Sequence, residues 1–120
     1  MTINRLTSKK ISETVVDAAI AKIVSGIVEV FTPEWIILFG SAAEGQVTDQ
    51  SDLDFLIVTS TVDEIRQHQK SLKHLQKLTQ FPLDLVWVDL KTYERKREIG
   101  GVCMIASEDG KILFKRAFHD

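Results

Sequence analysis

Apolar residues recur at helical spacing near the start of the chain. From about Ser8 to Phe31 they fall every three or four positions, which predicts an amphipathic helix with one face on a core. The positions of this apolar stripe are Ile11, Val15, Ala19, Ile23, Ile27 and Phe31, widened by Val16, Ile20, Val24 and Val28. Pro33 is expected to end the helix, because proline disfavours helical geometry in the preceding residue and donates no backbone hydrogen bond. Residues 1–7 are expected to be a weakly docked start.

Three shorter apolar runs predict β-strands. Residues 35–39, 53–59 and 83–88 are rich in leucine, isoleucine, valine and aromatic residues. Runs of this kind are typical of strands that lie inside a sheet covered by helices.

Further helices and one more strand are predicted around these runs. A helix from Val62 to about Gln80 begins with Thr61 and Glu64 in a capping-box pattern. Its inward-facing positions are expected to be Ile65, Leu72, Leu75 and Leu78. Three later elements are predicted, namely short helices at 91–98 and 102–107 and a last short strand at 111–114. This order predicts an α/β fold with a small mixed, mainly three-stranded sheet flanked by helices.

Composition narrows the class of protein. A length of 120 residues predicts a single domain, residues 1–120. The net charge is −2, from 15 basic and 17 acidic residues, which argues against general nucleic-acid binding. A single cysteine, Cys103, excludes an internal disulfide framework and fits a reducing cytoplasm. No apolar run approaches transmembrane length and no signal-peptide pattern is present, so we expect a cytoplasmic protein without membrane association.

Two aspartates stand at the entrance to the second predicted strand. Asp52 and Asp54 are two residues apart, so a strand places both side chains on one face. Carboxylates this close repel each other unless a cation lies between them. Hard oxygen ligands suit Mg²⁺, which usually takes one or two protein carboxylates and completes its coordination with water and substrate phosphate.

A glycine–serine pair ends the first predicted strand. Gly40 would let backbone approach a phosphate closely, and Ser41 can offer a hydroxyl group. If Ala42 begins a short helix over residues 41–45, the free N–H groups of that helix would form an anion site. The two elements together predict a site for a metal-bound nucleoside triphosphate.

The spacing of these residues resembles the signature of the minimal nucleotidyltransferases of the DNA polymerase beta superfamily. Gly40-Ser41 is followed after ten residues by Asp52-Leu53-Asp54, with Ser51 directly before the first aspartate and Pro33 to Phe39 as the preceding strand. The resemblance extends from about Ile11 to Phe114. The alternative interpretation is a hairpin-like turn with solvated aspartates at a strand end.

The resemblance implies a DNA polymerase beta-like fold and a set of site residues. Asp52 and Asp54 would bind two Mg²⁺ ions, and Asp84 on the next strand would be the third carboxylate, with the acceptor's proton as a further target. The nucleotide, most simply ATP, would be bound by Gly40, Ser41 and Ser51. Two alternatives stay open at this point. Asp84 could be an edge-strand residue that faces water, and Asp89 is a rival position, although we interpret it as a helix start or loop residue.

One departure from the family pattern bears on activity. Many members carry a basic residue after the glycine–serine pair, whereas this chain has Ala42, Ala43 and Glu44. A carboxylate that faces the phosphates would weaken nucleotide binding, whereas one that points outward would only favour the positive end of a helix.

Three functions are therefore considered. The first is an active nucleotidyltransferase that adds AMP or another nucleotide to a protein or small molecule, with the antitoxin of a pair with a helical HEPN-type protein as one setting. The second is a degenerate binding module that neutralises such a partner. The third is antibiotic nucleotidylation, ranked last because relatives with that activity usually carry an additional substrate-binding domain. The resemblance also implies association, as a homodimer or a hetero-oligomer.

Overall fold

The computed structural model describes residues 9–60, 63 and 68–116. The helices are α1 (Glu13–Val30), α2 (His68–Gln76), α3 (Leu90–Lys96) and α4 (Gly101–Asp109). The strands are β1 (Pro33–Phe39), β2 (Leu53–Thr59), β3 (Leu83–Asp89) and β4 (Lys111–Lys115). A 3₁₀ turn at Gly40–Ala42 follows β1. The predicted residues 1–7, the capping box at Thr61 and Glu64, and Ile65 lie outside the described residues.

The strands form one mixed sheet with the order β3-β2-β1-β4. β1 is antiparallel to both β2 and β4, whereas β2 and β3 are parallel. The predicted α/β fold with a small mixed sheet is confirmed. The sheet has four strands rather than mainly three, because the last short strand pairs along β1, where Ile36 faces Phe114 and Leu38 faces Lys111.

Helices cover both faces of this sheet. On one face, α1 and α2 pack on a core that includes Ile20, Ile23, Ile27, Ile36, Leu38, Leu53, Phe55, Ile57 and Leu75. On the other face, α3 and α4 pack on Ile37, Leu56, Val58, Val88, Tyr93, Cys103 and Ala106. Since side chains alternate along a strand, β2 contributes to both cores, and this explains its continuous apolar sequence.

The first helix begins later than its apolar stripe predicts. Ser12 caps the helix by accepting a hydrogen bond from the Val15 N–H, and the residues before it pair with a loop instead. The Ile11 N–H donates to the Val47 carbonyl at 3.0 Å, and the Asp49 N–H donates to the Lys9 carbonyl at 2.9 Å. Ile11, the first apolar residue of the stripe, therefore belongs to an extended segment rather than to the helix.

Three residues expected on inward faces are exposed. Val15, Val28 and Leu72 have exposed fractions of 53%, 38% and 41%. The apolar stripe of a straight helix is wider than the strip that one sheet face can cover, so residues at its margins remain in solvent. None of the described helices is long and apolar enough to cross a membrane. The single domain and the cytoplasmic location stay predictions.

A buried charge lies at the end of the sheet where β1 begins. Glu34 accepts a hydrogen bond from the Ser60 hydroxyl and lies 3.5 Å from the Arg116 guanidinium. That guanidinium also donates to the Thr32 carbonyl at 2.7 Å. The pairing ties the segment after β4 to the start of β1 and offsets part of the cost of burying the carboxylate.

We predict that Asp89→Ala lowers the free energy of unfolding by about 1 kcal/mol at neutral pH, because it removes the N-cap of α3. The Asp89 carboxylate accepts hydrogen bonds from the Thr92 N–H at 3.2 Å and the Thr92 hydroxyl at 2.5 Å. The hydroxyl bond lowers the pKa of Asp89 below 3.8. The cap therefore stabilises the fold above that value, and the effect is lost as the pH falls through the lower pKa.

Urea unfolding of wild type and variant measures this difference. Asp109→Ala is the matched control, since Asp109 is an exposed residue in the last turn of α4 and its removal relieves an unfavourable charge at a helix C-terminus. Equal losses in the two variants would contradict the capping role.

Candidate active site

Two aspartates meet where β2 and β3 begin. Asp54 and Asp84 are register partners on these adjacent parallel strands. Asp54 lies two residues before Leu56 on β2, and Asp84 lies two residues before Val86 on β3, so each aspartate shares a face with that apolar residue. Leu56 and Val86 pack towards α3 and α4. The two carboxyl groups therefore project from the same face of the sheet.

The two carboxyl groups are close enough for Asp84 to affect the ionisation of Asp54. Burial, together with the neighbouring Asp84 and Asp52, raises the pKa of Asp54 from 3.8 to about 6. Burial is the largest cause, followed by the charge of Asp84, the hydrogen bond to Asp84 and the charge of Asp52. Asp54 is half-buried, whereas Asp52 and Asp84 are exposed. The negative charge of Asp54 is therefore unfavourable in this position, where Asp84 and Asp52 are its neighbours.

Gly40 lies against this pair. It has a φ of 72°, a conformation that favours glycine, and a Cβ placed on it would lie 3.2 Å from the Asp54 Cγ and closer still to Oδ2. The close approach explains why glycine is required where β1 ends. It also brings the backbone of the following turn directly beside the carboxyl groups.

The turn after Gly40 differs from the predicted short helix over 41–45. It is a 3₁₀ turn whose amide groups bond within the turn: those of Ala43, Glu44 and Gly45 donate to the carbonyls of Gly40, Ser41 and Ala42. The predicted regular helix is therefore absent from this described turn, whereas phosphate binding by Gly40 and Ser41 stays a prediction. Ser41 itself is half-buried at the end of the sheet.

Ser51 shapes the loop before β2. Its hydroxyl oxygen accepts a hydrogen bond from the Thr48 N–H at 2.9 Å and lies 3.2 Å from the Thr48 hydroxyl. Sequence reasoning missed Thr48 and the pairing of this loop with residues 9–11. The spacing of Thr48 and Ser51 is a local hydroxyl–backbone pattern that could have signalled the turn. A nucleotide contact by Ser51 stays a prediction.

The rival third carboxylate lies elsewhere. Asp89 is at the far end of β3, opposite Thr59, and caps α3 as the sequence predicted. Asp84 is exposed on an edge strand, as the alternative interpretation expected. It also interacts with Asp54, which that interpretation did not include.

The oxygen atoms of Asp52, Asp54 and Asp84 are suitable ligands for a hard divalent cation. Within the described residues, no three metal-ligating side chains stand close enough together to form a complete metal cluster. Asp84 acts on Asp54 at close range, whereas Asp52 acts on it through its charge. Two neighbouring carboxyl groups repel each other when both are charged, which favours a cation between them, and their oxygen chemistry suits Mg²⁺.

Comparison with known proteins agrees with this geometry. The Polymerase beta, Nucleotidyltransferase family matches residues 21–118. A comparison with curated proteins finds no match. A solved structure from Sulfolobus solfataricus, assigned as a nucleotidyltransferase, is 22% identical, with a TM-score of 0.53 over 88% of this chain and 91% of that one.

Two further similar structures are toxin–antitoxin structures. One was solved with AMP-PNP and has a TM-score of 0.61, and the other is a mutant of MntA-HpeT with a TM-score of 0.60. Each is 22% identical to this chain and covers 81% of it and 73% of the other chain. At this identity the likeness shows the fold. The family match covers most of the chain, and the chain belongs to the Polymerase beta nucleotidyltransferase family.

We predict that metal-free Asp54→Asn is more stable than wild type and that its advantage grows as the pH rises from 3.8 to about 6. The folded wild type keeps the Asp54 proton to a higher pH than the unfolded chain does, so its free energy of unfolding falls over this range. Asparagine does not titrate. Urea unfolding in the presence of a chelator, across this range, measures the difference, and a difference that does not vary with pH would contradict the assignment.

A second prediction separates backbone strain from the contact at Gly40. Gly40 and Gly45 both have a φ of 72°, but a Cβ on Gly45 meets nothing within 4 Å. Alanine at either position should cost about 1–2 kcal/mol through left-handed backbone strain. Only Gly40→Ala should also displace the Asp54 carboxyl group and change its pKa, measured by NMR titration. An unchanged Asp54 pKa in Gly40→Ala would show that the contact is not needed.

Proposed function

We propose that this chain transfers a nucleoside monophosphate, AMP in the simplest case, from a nucleoside triphosphate to a hydroxyl group of a protein or small molecule. The observation that carries the proposal is the Asp54–Asp84 carboxyl pair beside the Gly40 backbone. Membership of the nucleotidyltransferase family supports nucleotidyl transfer in general.

The reaction is a displacement at phosphorus. The acceptor hydroxyl oxygen forms a bond to the α-phosphorus, the bond from that phosphorus to the bridging oxygen breaks, and pyrophosphate leaves. Asp84 is the better placed of the paired carboxyl groups to take the hydroxyl proton, because it is exposed on the edge strand while Asp54 is half-buried. The chain's main contribution is to hold the reacting groups in place.

Two Mg²⁺ ions would be held by Asp52, Asp54 and Asp84. When bound, they supply positive charge that attracts the triphosphate and stabilises the charge that develops on its oxygens. Asp52 is exposed and precedes β2, so its side chain can turn towards the pair. The amide groups of Ser41 and Ala42, with the Ser41 hydroxyl, are the donors of this turn that we assign to the phosphates, and Ser51 would keep the adjoining loop in shape.

A toxin–antitoxin pair is the setting that we favour. The similar structures include one toxin–antitoxin solved with AMP-PNP and one MntA-HpeT mutant in which two aspartates, two positions apart, are replaced by glutamate. Asp52 and Asp54 have the same spacing. We therefore propose that the chain acts on or binds a helical partner of the HEPN type and forms a hetero-oligomer, with a homodimer as the alternative.

A binding module without activity is the second candidate. It is favoured by the turn after Gly40, where Ala42 and Ala43 are buried and the exposed charged residue is Glu44. Within this turn, no basic side chain supplements the backbone donors for a triphosphate. Antibiotic nucleotidylation ranks third.

The proposal is tested by thermal unfolding with Mg²⁺ and each nucleoside triphosphate. Wild type should be stabilised by about 2.7 kcal/mol when the best nucleotide is present at a hundred times its dissociation constant. Asp54→Asn should lose this gain while remaining at least as stable as wild type without ligand. Asp109→Asn is the matched control and should keep the gain.

Glu44→Arg distinguishes the two leading candidates. Stabilisation of wild type by one nucleotide would support the enzyme and identify its donor. Stabilisation of Glu44→Arg alone would mean that Glu44 has disabled a formed pocket, in favour of the binding module. The absence of stabilisation in both proteins would overturn the nucleotide site.

A further inference from the structure

A groove runs along β3 on the same face of the sheet as the paired carboxyl groups. Its volume is about 530 Å³, and its floor includes Val86 and Val88, with Cys103 of α4 beside them. Val86 is two residues from Asp84, so both side chains lie on one face, roughly 6.5–7 Å apart along the strand. The groove therefore begins one side-chain position from the candidate proton acceptor.

The far wall of the groove combines apolar surface with positive charge. The turn between α3 and α4 contributes Ile99, which is 73% exposed, and the end of α3 contributes Arg95 and Lys96. Lys96 and Cys103 both line the groove. Burial raises the pKa of the Cys103 thiol, and the charge of Lys96 partly offsets this effect. No acidic residue lines the groove among the residues that the structure describes, because Glu94 and Glu98 line a separate hollow.

The outer edge of β3 suits an added strand. Among the described strands, β3 pairs with β2 alone, and its seven residues keep one register without a bulge. β4, at the other edge, carries lysine at both ends and has an irregular register with β1. Charged ends and bulges are common protections of an edge strand, and the interior of β3 from Leu85 to Val88 has no charged residue.

We propose that this groove binds the acceptor of the transfer reaction, and that the acceptor is an extended, acidic segment of a partner protein. The segment would lie along the β3 edge, place an apolar side chain on Val86, and present a carboxylate to Arg95 and Lys96. A hydroxyl-bearing residue two positions from the apolar one would then face Asp84. This proposal rests on the proposed function for the reaction, although the docking itself does not require it.

The charge of the groove bears on the antibiotic alternative. An aminoglycoside carries several ammonium groups, and a rim of arginine and lysine repels such an acceptor. The same rim attracts carboxylates, and the exposed Ile99 offers an apolar contact that a strongly hydrated sugar would not use. The chemistry of the groove therefore favours a peptide over a cationic small molecule.

The test measures binding of two fluorescently labelled peptides by anisotropy at low salt. The acidic probe is Gly-Ser-Thr-Val-Thr-Glu-Thr-Glu, in which serine, valine and both glutamates share one face of an extended chain, and the basic probe has lysine in place of both glutamates. Wild type should bind the acidic probe in preference. Arg95→Glu/Lys96→Glu should weaken that binding by about tenfold or more, since two attractive pairs become repulsive. Arg95→Gln/Lys96→Gln, which removes charge without reversing it, should give an intermediate loss.

Lys22→Glu/Lys73→Glu is the matched control. It changes the net charge by the same amount, and both lysines are exposed on the helices that cover the opposite face of the sheet. It should reduce binding of the acidic probe much less. No binding of the acidic probe up to millimolar concentration, equal binding of the two probes, or equal losses in the two double variants would overturn the proposal.

Thermal unfolding with Mg²⁺ and ATP on the same proteins separates the two proposals. Stabilisation by nucleotide without peptide binding would overturn the groove alone. Peptide binding without stabilisation by nucleotide would overturn nucleotidyl transfer and leave the docking surface in place.

Discussion

The contact between the carboxyl groups of Asp54 and Asp84 is the constraint on which the rest of the site depends. Two acidic groups in contact oppose folding whenever both are charged, and burial together with the charge of Asp84 raises the pKa of Asp54. The contact persists because the register of β2 and β3 is set elsewhere. Leu53 and Phe55 of β2 are fully buried on the opposite face, so a slip of one residue would move the apolar side chains to the wrong side.

Sequence patterns predicted the parts of this fold whose cause is local. β2 has the predicted bounds, 53–59, because a continuous apolar run bounded by polar residues has one stable place inside a covered sheet. Asp89 could be assigned to a helix start since its partner, Thr92, is three residues away. The pairing of Asp54 with Asp84 came from the family resemblance, because nothing in the local pattern states that the two strands are neighbours.

The parts that were not predicted depend on distant partners. The residues before Ser12 continue a helical stripe, yet they pair with the loop at 47–49, which no pattern within either segment reveals. The predicted short helix is a 3₁₀ turn over Gly40–Ala42, in which the Gly40 carbonyl accepts from an amide only three residues away. Glu34 inside β1 is explained by Arg116, a residue at the other end of the chain.

Charge is arranged in opposite senses along one face of the sheet, and this arrangement has a functional consequence. At the entrance to β2 and β3, the chain places acidic side chains that would repel a bare triphosphate and, under the proposed function, would bind one only together with cations. Further along β3, Arg95 and Lys96 face the groove and favour an acidic ligand. A nucleotide and an acceptor would therefore be attracted to different ends of the face by different charges, which keeps each from occupying the other's place. Asp84 lies between the two regions, where a hydroxyl held by one would meet a phosphate held by the other.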